Sequence, residues 1–460
     1  MFFRSQEDIL SGRRVLVIGF ARQGQALARW LPTIGASVVV TDSKTAEQLK
    51  IDPADYPNVR FLLGDNPEAL PKNIDLVCVS GGVPLDNPLI QEAQKRDIPV
   101  TNDAQMFVER CPAPIVGITG SAGKTTTTSL VGEILKRAGY TTWIGGNIGN
   151  VLLDVMMGMR PDHRVVMELS SFQLELMFSS PATGAVLNVT PNHLDRHGTM
   201  EKYLSAKANL IAHQSSRSKA ILGWDDMGSR SLEPLVQGDL LWFSRYEMMS
   251  DGAFLVGQRV CVAGGASPDG DPHIICEVGE IPLRGEHNQY NVLAACAIAG
   301  SMGVAPEIMT ETILNFKAVP HRLETVRVVN DVTYVNDSIA TAPERVLAAL
   351  RSYTEPLVLL AGGADKKLPW DDMILLALRK CRHIVAFGRD GDIVVNTVKK
   401  FGGAADFVTR VQTLDEAVTE AAKVAQAGDV VLLSPGGTSY DAYQDFVERG
   451  EDFRRLVMAL

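Results

Sequence analysis

A glycine loop set between an apolar strand and an amphipathic helix constrains this chain more than any other feature. From Pro114 to Gly139 the sequence reads PIVGITGSAGKTTTTSLVGEILKRAG. Ile115 to Ile118 is a short apolar run suited to a buried strand, and Leu130, Val131, Ile134, Leu135 and Ala138 recur at the spacing of one helix face. The glycines between them, Gly117, Gly120 and Gly123, let successive backbone N–H groups turn inward around an anion, and the helix N-terminus adds its dipole. Lys124 then supplies a cation for terminal phosphates, and the Thr125 hydroxyl can ligate magnesium. Ile118 stands five residues before Gly123, where the general phosphate-loop pattern has glycine, so the form is the narrower TGSAGKTT. Four consecutive threonines start a helix poorly unless ligand and dipole support them.

The chain of 460 residues is long enough for roughly three domains. Its net charge of −10 argues against a nucleic-acid surface, so any anion site must be built from local cations and metal. The six cysteines lack metal-type spacing and read as core residues of a reducing compartment. MFFRSQEDIL carries no apolar signal region, and the longest small-apolar run, near Val292 to Ala305, is too short to span a bilayer. These features predict a cytoplasmic protein without membrane insertion.

Residues Arg14 to Asp42 form a Rossmann-like opening: the strand RVLVIG, a loop from Gly19 to Gly24, a helix ending near Gly35, and the strand SVVVTD, with Asp42 placed where such folds contact a ribose. Ala21 replaces the middle glycine, which weakens a nicotinamide reading. DLVCVSGGVP then ends in Ser80-Gly81-Gly82, a further edge for ligand contact, and a domain boundary falls near Asn102. After the phosphate helix come GGNIGN and a strand read as RVVMELSSFQLE, which leaves Glu168 either as a magnesium carboxylate or as a solvated strand-end residue. The strand GAVLNVT and the loop PNHLDRHG set His193, Asp195 and His197 at another C-terminal strand edge. Lys207, in the helix MEKYLSAKANLI, reads by itself as a surface lysine with its stem along the helix. GEHNQYNVLAACAIAG is a buried helix opened by Asn288 and Asn291, and AVPHRLE marks a second boundary. Beyond it VTYVN, PLVLLAGG, HIVAFG and DVVLLSPGG alternate with helical stretches, which implies a third, parallel α/β domain.

In combination and in order, TGSAGKTT, GGNIGN, ELSSFQLE, NVTPNHLDRHG, SAKANLI, GEHNQYN, VPHRLE, NDS with ATAPE, LAGGADK and SPGGTSYDAYQDFVERG resemble the Mur ligases over nearly the whole chain. The resemblance implies an α/β protein of three domains: a Rossmann-like domain over 1–102 for the UDP-sugar, a central P-loop ATPase-like domain over 103–318, and a Rossmann-like C-terminal domain over 319–460 for glutamate. It implies ligation of glutamate to UDP-N-acetylmuramoyl-L-alanine at the expense of ATP through an acyl phosphate, in a bacterial cytoplasm, by a monomer. Gly120, Ser121, Ala122, Gly123, Lys124, Thr125 and Thr126 then hold ATP phosphates, with Asn147 close by. Asn288 and Asn291 lie toward adenine, Arg322 contacts phosphate and Asp337 the ribose. Thr125, Glu168, His193 and Lys207 become ligands of two magnesium ions, Lys207 as a carbamate. Lys124, Lys207, His193 and Arg322 carry the catalysis. Asp42, Ser43, Lys44, Ser80 and Gly82 face the uridine nucleotide, and Thr341, Lys366, Ser439 and Phe446 form the glutamate pocket.

One departure stands out. The family's common form reads NDSKAT, whereas Ile339 follows Asn336-Asp337-Ser338 here, so a cation expected near the reacting carboxylates is missing. Lys366 or Lys367 could replace it, and the change leaves L-glutamate open beside D-glutamate. Other readings compete: another Mur-type or folylpolyglutamate ligase, a hydride-transferring oxidoreductase using the first domain, and a nucleotide-binding protein without catalysis.

Overall fold

Runs of valine, isoleucine and leucine with no alternation predict strands buried on both faces, as a parallel sheet covered by helices requires. The computed structural model bears this out, and it describes residues 8–64, 69–149, 151–317 and 319–460, with Asp195 as backbone only. Asn150 of GGNIGN and Ala318, the last residue assigned to the central domain, lie outside the described residues.

Three sheets are present among the described residues. The first holds β1 (Arg14–Ile18), β2 (Ser37–Asp42), β3 (Val59–Leu63), β4 (Leu76–Val79) and β5 (Val100–Thr101), all parallel, in the order β3-β2-β1-β4-β5. The second holds β6 (Ile115–Thr119), β7 (Thr142–Gly146), β8 (Arg164–Glu168), β9 (Thr183–Val186), β10 (Lys219–Gly223), β11 (Asp239–Ser244), β12 (Gly252–Val256), β13 (Arg259–Ala263) and β14 (His273–Glu277). Its order is β14-β13-β12-β11-β10-β9-β6-β8-β7, parallel from β7 to β12 and antiparallel at the β12-β13-β14 end. The third holds β15 (Glu324–Val329), β16 (Val332–Asn336), β17 (Leu357–Gly362), β18 (Cys381–Phe387), β19 (Val408–Arg410) and β20 (Val430–Gly436), in the order β15-β16-β20-β17-β18-β19.

Three local readings change. The strand read through RVVMELSSFQLE stops at Glu168, because Ser170 caps a short helix, Ser171–Leu174: its hydroxyl accepts from the Gln173 N–H and the Gln173 side chain accepts from the Ser170 N–H. The third sheet is not wholly parallel, since β15 pairs antiparallel with β16. Both β15 and β16 sit at that edge, and a hairpin through Asn330 and Asp331, both left-handed, is the shortest connection there. The strand GAVLNVT is likewise shorter, with β9 ending at Val186.

By packing, the chain divides into a unit of residues 1–280 with 290–314, which contains the first two sheets, and a unit of 281–289 with 315–460, which contains the third. Within the larger unit the first sheet is tied to the second by side chains: Arg22 donates to the Gly149 carbonyl at 2.9 Å, Arg29 pairs with Asp154 at 2.7 Å, and Arg196 donates to the Val83 carbonyl at 2.6 Å. Five of the six cysteines are buried and all are reduced, as expected of core residues. Among the described residues no helix is long and apolar enough to cross a membrane.

Candidate active site

The centre of the second sheet, β9-β6-β8-β7, brings its C-terminal strand ends together, where open α/β sheets bind ligands. β6 ends in Thr119, the loop 120–123 follows, and the helix Lys124–Arg137 begins at Gly123 with φ +84°. A side chain at Gly123 would be strained there and its Cβ would meet the Asn291 side chain, so glycine is required twice over. Leu130, Val131, Ile134 and Leu135 are fully buried, which anchors the helix and holds its N-terminus over the strand ends.

Four of the residues singled out by sequence meet at this point. Glu168, buried at the end of β8, accepts a hydrogen bond from Thr125 Oγ1 at 2.8 Å and from Asn147 Nδ2 at 2.9 Å. The Asn147 backbone N–H also donates to the Glu168 carbonyl at 2.9 Å. Lys124 arches over the loop, its ammonium donating to the Gly120 carbonyl at 2.8 Å. Thr126 is buried in the first turn of the helix. Ser121 fixes the loop from the other side, its hydroxyl donating to the Thr190 carbonyl at 2.9 Å, and Ala122 N–H donates to Asn188 Oδ1 at 2.9 Å. Asn188 was not singled out by sequence, although it lies in NVTPNHLDRHG; its amide also donates back to the Ala122 carbonyl at 3.2 Å and so clamps the loop.

Lys207 is not a surface residue. It is buried to 1% exposure, its ammonium donates to Thr119 Oγ1 at 3.2 Å, and it lies over the Tyr203 ring at 4.8 Å. Burial, with the Lys124 charge next, pushes its pKa well down, and Glu168 opposes them. The helix Met200–Ala208 delivers it because Tyr203 and Ala206 are buried on the same side, and Tyr203 OH reaches Ser121 Oγ at 3.0 Å. Periodicity alone could not tell a lysine lying along the edge of that face from one pointing into the sheet.

His193 sits in the left-handed conformation before the short helix Leu194–His197, its ring edge-on to Phe172 at 5.0 Å. His197 is buried, bonded to Ser171 Oγ at 3.0 Å and stacked on Phe172 at 5.3 Å. On the first sheet, Asp42 at the end of β2 accepts from Phe20 N–H at 2.7 Å and Lys44 N–H at 2.9 Å, which sets the turn containing Ser43. Ser80, just past β4, is buried, and among the described residues its hydroxyl has no hydrogen-bond partner. Gly82 is exposed two residues on. Asn291 accepts from Thr127 Oγ1 at 3.4 Å and belongs with the phosphate helix.

In the other unit, Asn288 donates to the Arg284 carbonyl at 2.7 Å. Asp337, beyond β16, is buried and accepts from Ser434 Oγ at 2.8 Å and Leu323 N–H at 3.3 Å. Burial raises its pKa to about 7, against the Ser434 hydrogen bond and the Arg322 charge. Lys366 donates to Thr341 Oγ1 at 3.1 Å. Ser439 is buried, and its carbonyl accepts from Tyr443 N–H at 2.8 Å. Phe446 opens the helix Phe446–Met458, its carbonyl accepting from Ser338 Oγ at 2.8 Å and its ring facing His321. Arg449 was not anticipated: it is 1% exposed and binds Ser338 and Gly437 carbonyls at 2.9 and 3.2 Å. A lone arginine in VERG carries no signal of such burial.

Comparison with known proteins gives a consistent result. Residues 13–102 match the Mur ligase MurD-like N-terminal domain, 118–299 the Mur ligase middle domain, and 321–437 the Mur ligase glutamate ligase domain. UDP-N-acetylmuramoylalanine--D-glutamate ligase of Alkaliphilus oremlandii is 39% identical over 98% of this chain and 99% of its own, and that of Pelotomaculum thermopropionicum is 38% identical over 97% and 98%. Among solved structures, UDP-N-acetylmuramate-alanine ligase of Thermotoga maritima superposes with a TM-score of 0.61 at 18% identity, covering 97% of this chain and 99% of that one, and so shares the fold.

The raised pKa of Asp337 predicts a pH effect. The folded state binds this proton more tightly than the unfolded chain, so the contribution of Asp337 to stability falls as pH rises from about 4 to about 7. Asp337→Asn removes that decline: thermal unfolding should become less sensitive to pH over this window by up to a few kcal/mol (roughly). Parallel curves for the two proteins would show that the carboxyl does not titrate there.

Proposed function

The chain belongs to the Mur ligase family, and from that membership we propose its reaction: it adds D-glutamate to UDP-N-acetylmuramoyl-L-alanine with consumption of ATP. The observation that carries this is identity of 38–39% over nearly the full length of ligases named for that reaction. It is an ATP-dependent amide ligase of peptidoglycan precursor synthesis. The names of these relatives specify D-glutamate, which favours that isomer over the L-isomer that Ile339 left open. A reducing cytoplasm and a monomeric state complete the reading.

The reaction joins two groups that repel. The alanyl carboxylate takes the γ-phosphoryl group of ATP to form an acyl phosphate; the glutamate amine then attacks the acyl carbon and phosphate leaves. Before any of this, the chain must neutralise charge that its own acidity would reject. Lys124, whose ammonium lies against the glycine loop, would meet the terminal phosphates, and the N-terminal dipole of the helix Lys124–Arg137 would support them. Arg322 would contact phosphate, Asn288 and Asn291 adenine, and Asp337 the ribose. Asp42, Ser43, Lys44, Ser80 and Gly82 would hold the uridine nucleotide, Ser80 offering a buried hydroxyl that has no hydrogen-bond partner among the described residues. Thr341, Lys366, Ser439 and Phe446 would receive glutamate.

The donor set fits magnesium. A hydroxyl and a buried carboxylate, Thr125 and Glu168, already lie 2.8 Å apart beside the phosphate loop, the arrangement of hard oxygen ligands that such an ion takes. Thr125 and Glu168, with His193 and carbamylated Lys207, would hold two ions, and bound magnesium would withdraw charge from the phosphates. Lys207 suits carbamylation: it is buried, held by one neutral hydroxyl and one ring, and as a carbamate it would replace an isolated ammonium by an anion near Lys124. The domain limits 1–102, 103–318 and 319–460 assign one sheet to each of the three ligands.

Phosphate release from ATP and magnesium with UDP-N-acetylmuramoyl-L-alanine should appear with D-glutamate and stay at background with L-glutamate; the reverse would assign the other isomer, and silence with both would sink the ligase reading. Lys124→Ala should lower turnover by about 100-fold or more while uridine-nucleotide binding, followed calorimetrically, stays within about threefold. Equal loss of both would contradict separate sites. Lys207→Ala should fall by a similar factor and recover in part with added formate or acetate, whereas full activity without them would rule out the carbamate.

A further inference from the structure

The C-terminal unit gathers three cations around one loop, Ser338 to Thr341, and among the described residues none of them is hydrogen-bonded to a carboxylate; Asp337 and Asp441 act on Arg345 and Arg449 only through their charge. Arg345 donates to the Ile339 carbonyl at 3.2 Å. The Thr341 N–H donates to that same carbonyl at 2.9 Å, and the Thr341 hydroxyl receives Lys366 Nζ at 3.1 Å. Arg449 holds the loop from beneath through Ser338. Among the described residues, every hydrogen bond of these three side chains goes to a carbonyl or hydroxyl oxygen. Elsewhere in the same unit arginines find acids: Arg382 pairs with Asp429 at 2.7 Å and Arg410 with Asp392 at 3.0 Å.

The position of Arg345 is unfavourable on local grounds. It lies in the first turn of the helix Pro343–Arg351, where the dipole disfavours a cation, and its side chain is exposed. Among the described residues its guanidinium makes one hydrogen bond with the fold, while the Asp337 charge acts on it without one, and it presents five N–H donors in a planar fork suited to a carboxylate. Local cost with so small a structural return is the pattern of a residue kept for a ligand. Lys366 feels both neighbours: burial first, then the charges of Arg345 and Arg449, hold its pKa below the usual lysine range.

We propose that Arg345 is a specificity-determining residue that, together with Lys366, holds a carboxylate of the incoming acidic amino acid and supplies the positive charge that Ile339 cannot. The inference rests on the glutamate-ligase reading and adds to it a residue outside the pocket of Thr341, Lys366, Ser439 and Phe446. A shared acceptor carbonyl places the guanidinium beside Thr341, so one carboxylate can bridge Arg345 and Lys366 while the free amine remains available for attack.

Steady-state kinetics of the full chain with each substrate varied in turn tests this. Arg345→Ala should raise KM for D-glutamate about tenfold or more, the loss expected of one charge-assisted hydrogen bond, with kcat and KM for ATP within about threefold. Arg345→Lys should recover part of the loss, and adding Ile339→Lys to Arg345→Ala should recover more, because it restores a cation to the loop. A glutamate KM unchanged by Arg345→Ala, or an equal rise in KM for all three substrates, would overturn the assignment while turnover by the unaltered enzyme preserves the ligase reading. Absence of glutamate-dependent turnover in the unaltered enzyme would remove both.

Discussion

The buried carboxylate of Glu168 is the constraint around which the larger unit is arranged. A carboxylate at 2% exposure must find donors, because leaving it unpaired costs several kcal/mol (roughly). It finds them on two different segments, the Thr125 hydroxyl at the start of the phosphate helix and the Asn147 amide after β7. The strand order β6-β8-β7 is what makes this possible, since it sets the ends of the phosphate strand and of β7 on either side of β8. Lys124 and Lys207 lie close enough for their charges to act on one another, with Glu168 acting on Lys207 in the opposite sense. Lys124, a helix N-terminus and the buried Glu168 and Lys207 thus concentrate opposite charges at one strand edge of a chain whose net charge is −10.

How much of this was legible depends on whether a feature is local in sequence. The phosphate loop was readable because glycine spacing, the following lysine and threonine, and the helix face are contiguous, and their chemistry does not depend on distant residues. Lys207 was not readable from the residues alone. Its burial comes from Thr119 at the end of another strand and from Tyr203 one turn earlier on its own helix, and only tertiary packing decides that the side chain turns inward. The family resemblance supplied what periodicity could not.

The errors have equally specific causes. RVVMELSSFQLE reads as one strand because its apolar residues continue past Glu168, yet Ser170 and Gln173 form a reciprocal cap that makes the next turn helical. An S-x-x-Q spacing before Leu174 was the available signal. The antiparallel edge strand β15 follows from the left-handed pair Asn330-Asp331, a turn signature that four strong parallel strands overshadowed. Arg449 and Asn188 were missed for a common reason: each acts through backbone carbonyls or amides of other segments, and sequence gives no record of those partners.

Each sheet repeats one topological rule with different chemistry. In parallel strands the C-terminal ends lie on one edge, so polar residues that end strands meet there without further instruction. On the first sheet these are Asp42 and Ser80, after β2 and β4; on the second, Thr119 and Glu168, ending β6 and β8; on the third, Asp337 after β16 and Ser434 within β20. The apolar runs that precede them are nearly interchangeable, which is why strand placement was easier to read than function. What differs is the charge each edge concentrates. The first edge offers a carboxylate and a buried hydroxyl; the second sets lysines beside a carboxylate; the third adds Lys366, Arg345 and Arg449 beside Asp337. One folding rule thus sets three strand-end edges of different charge in a single chain.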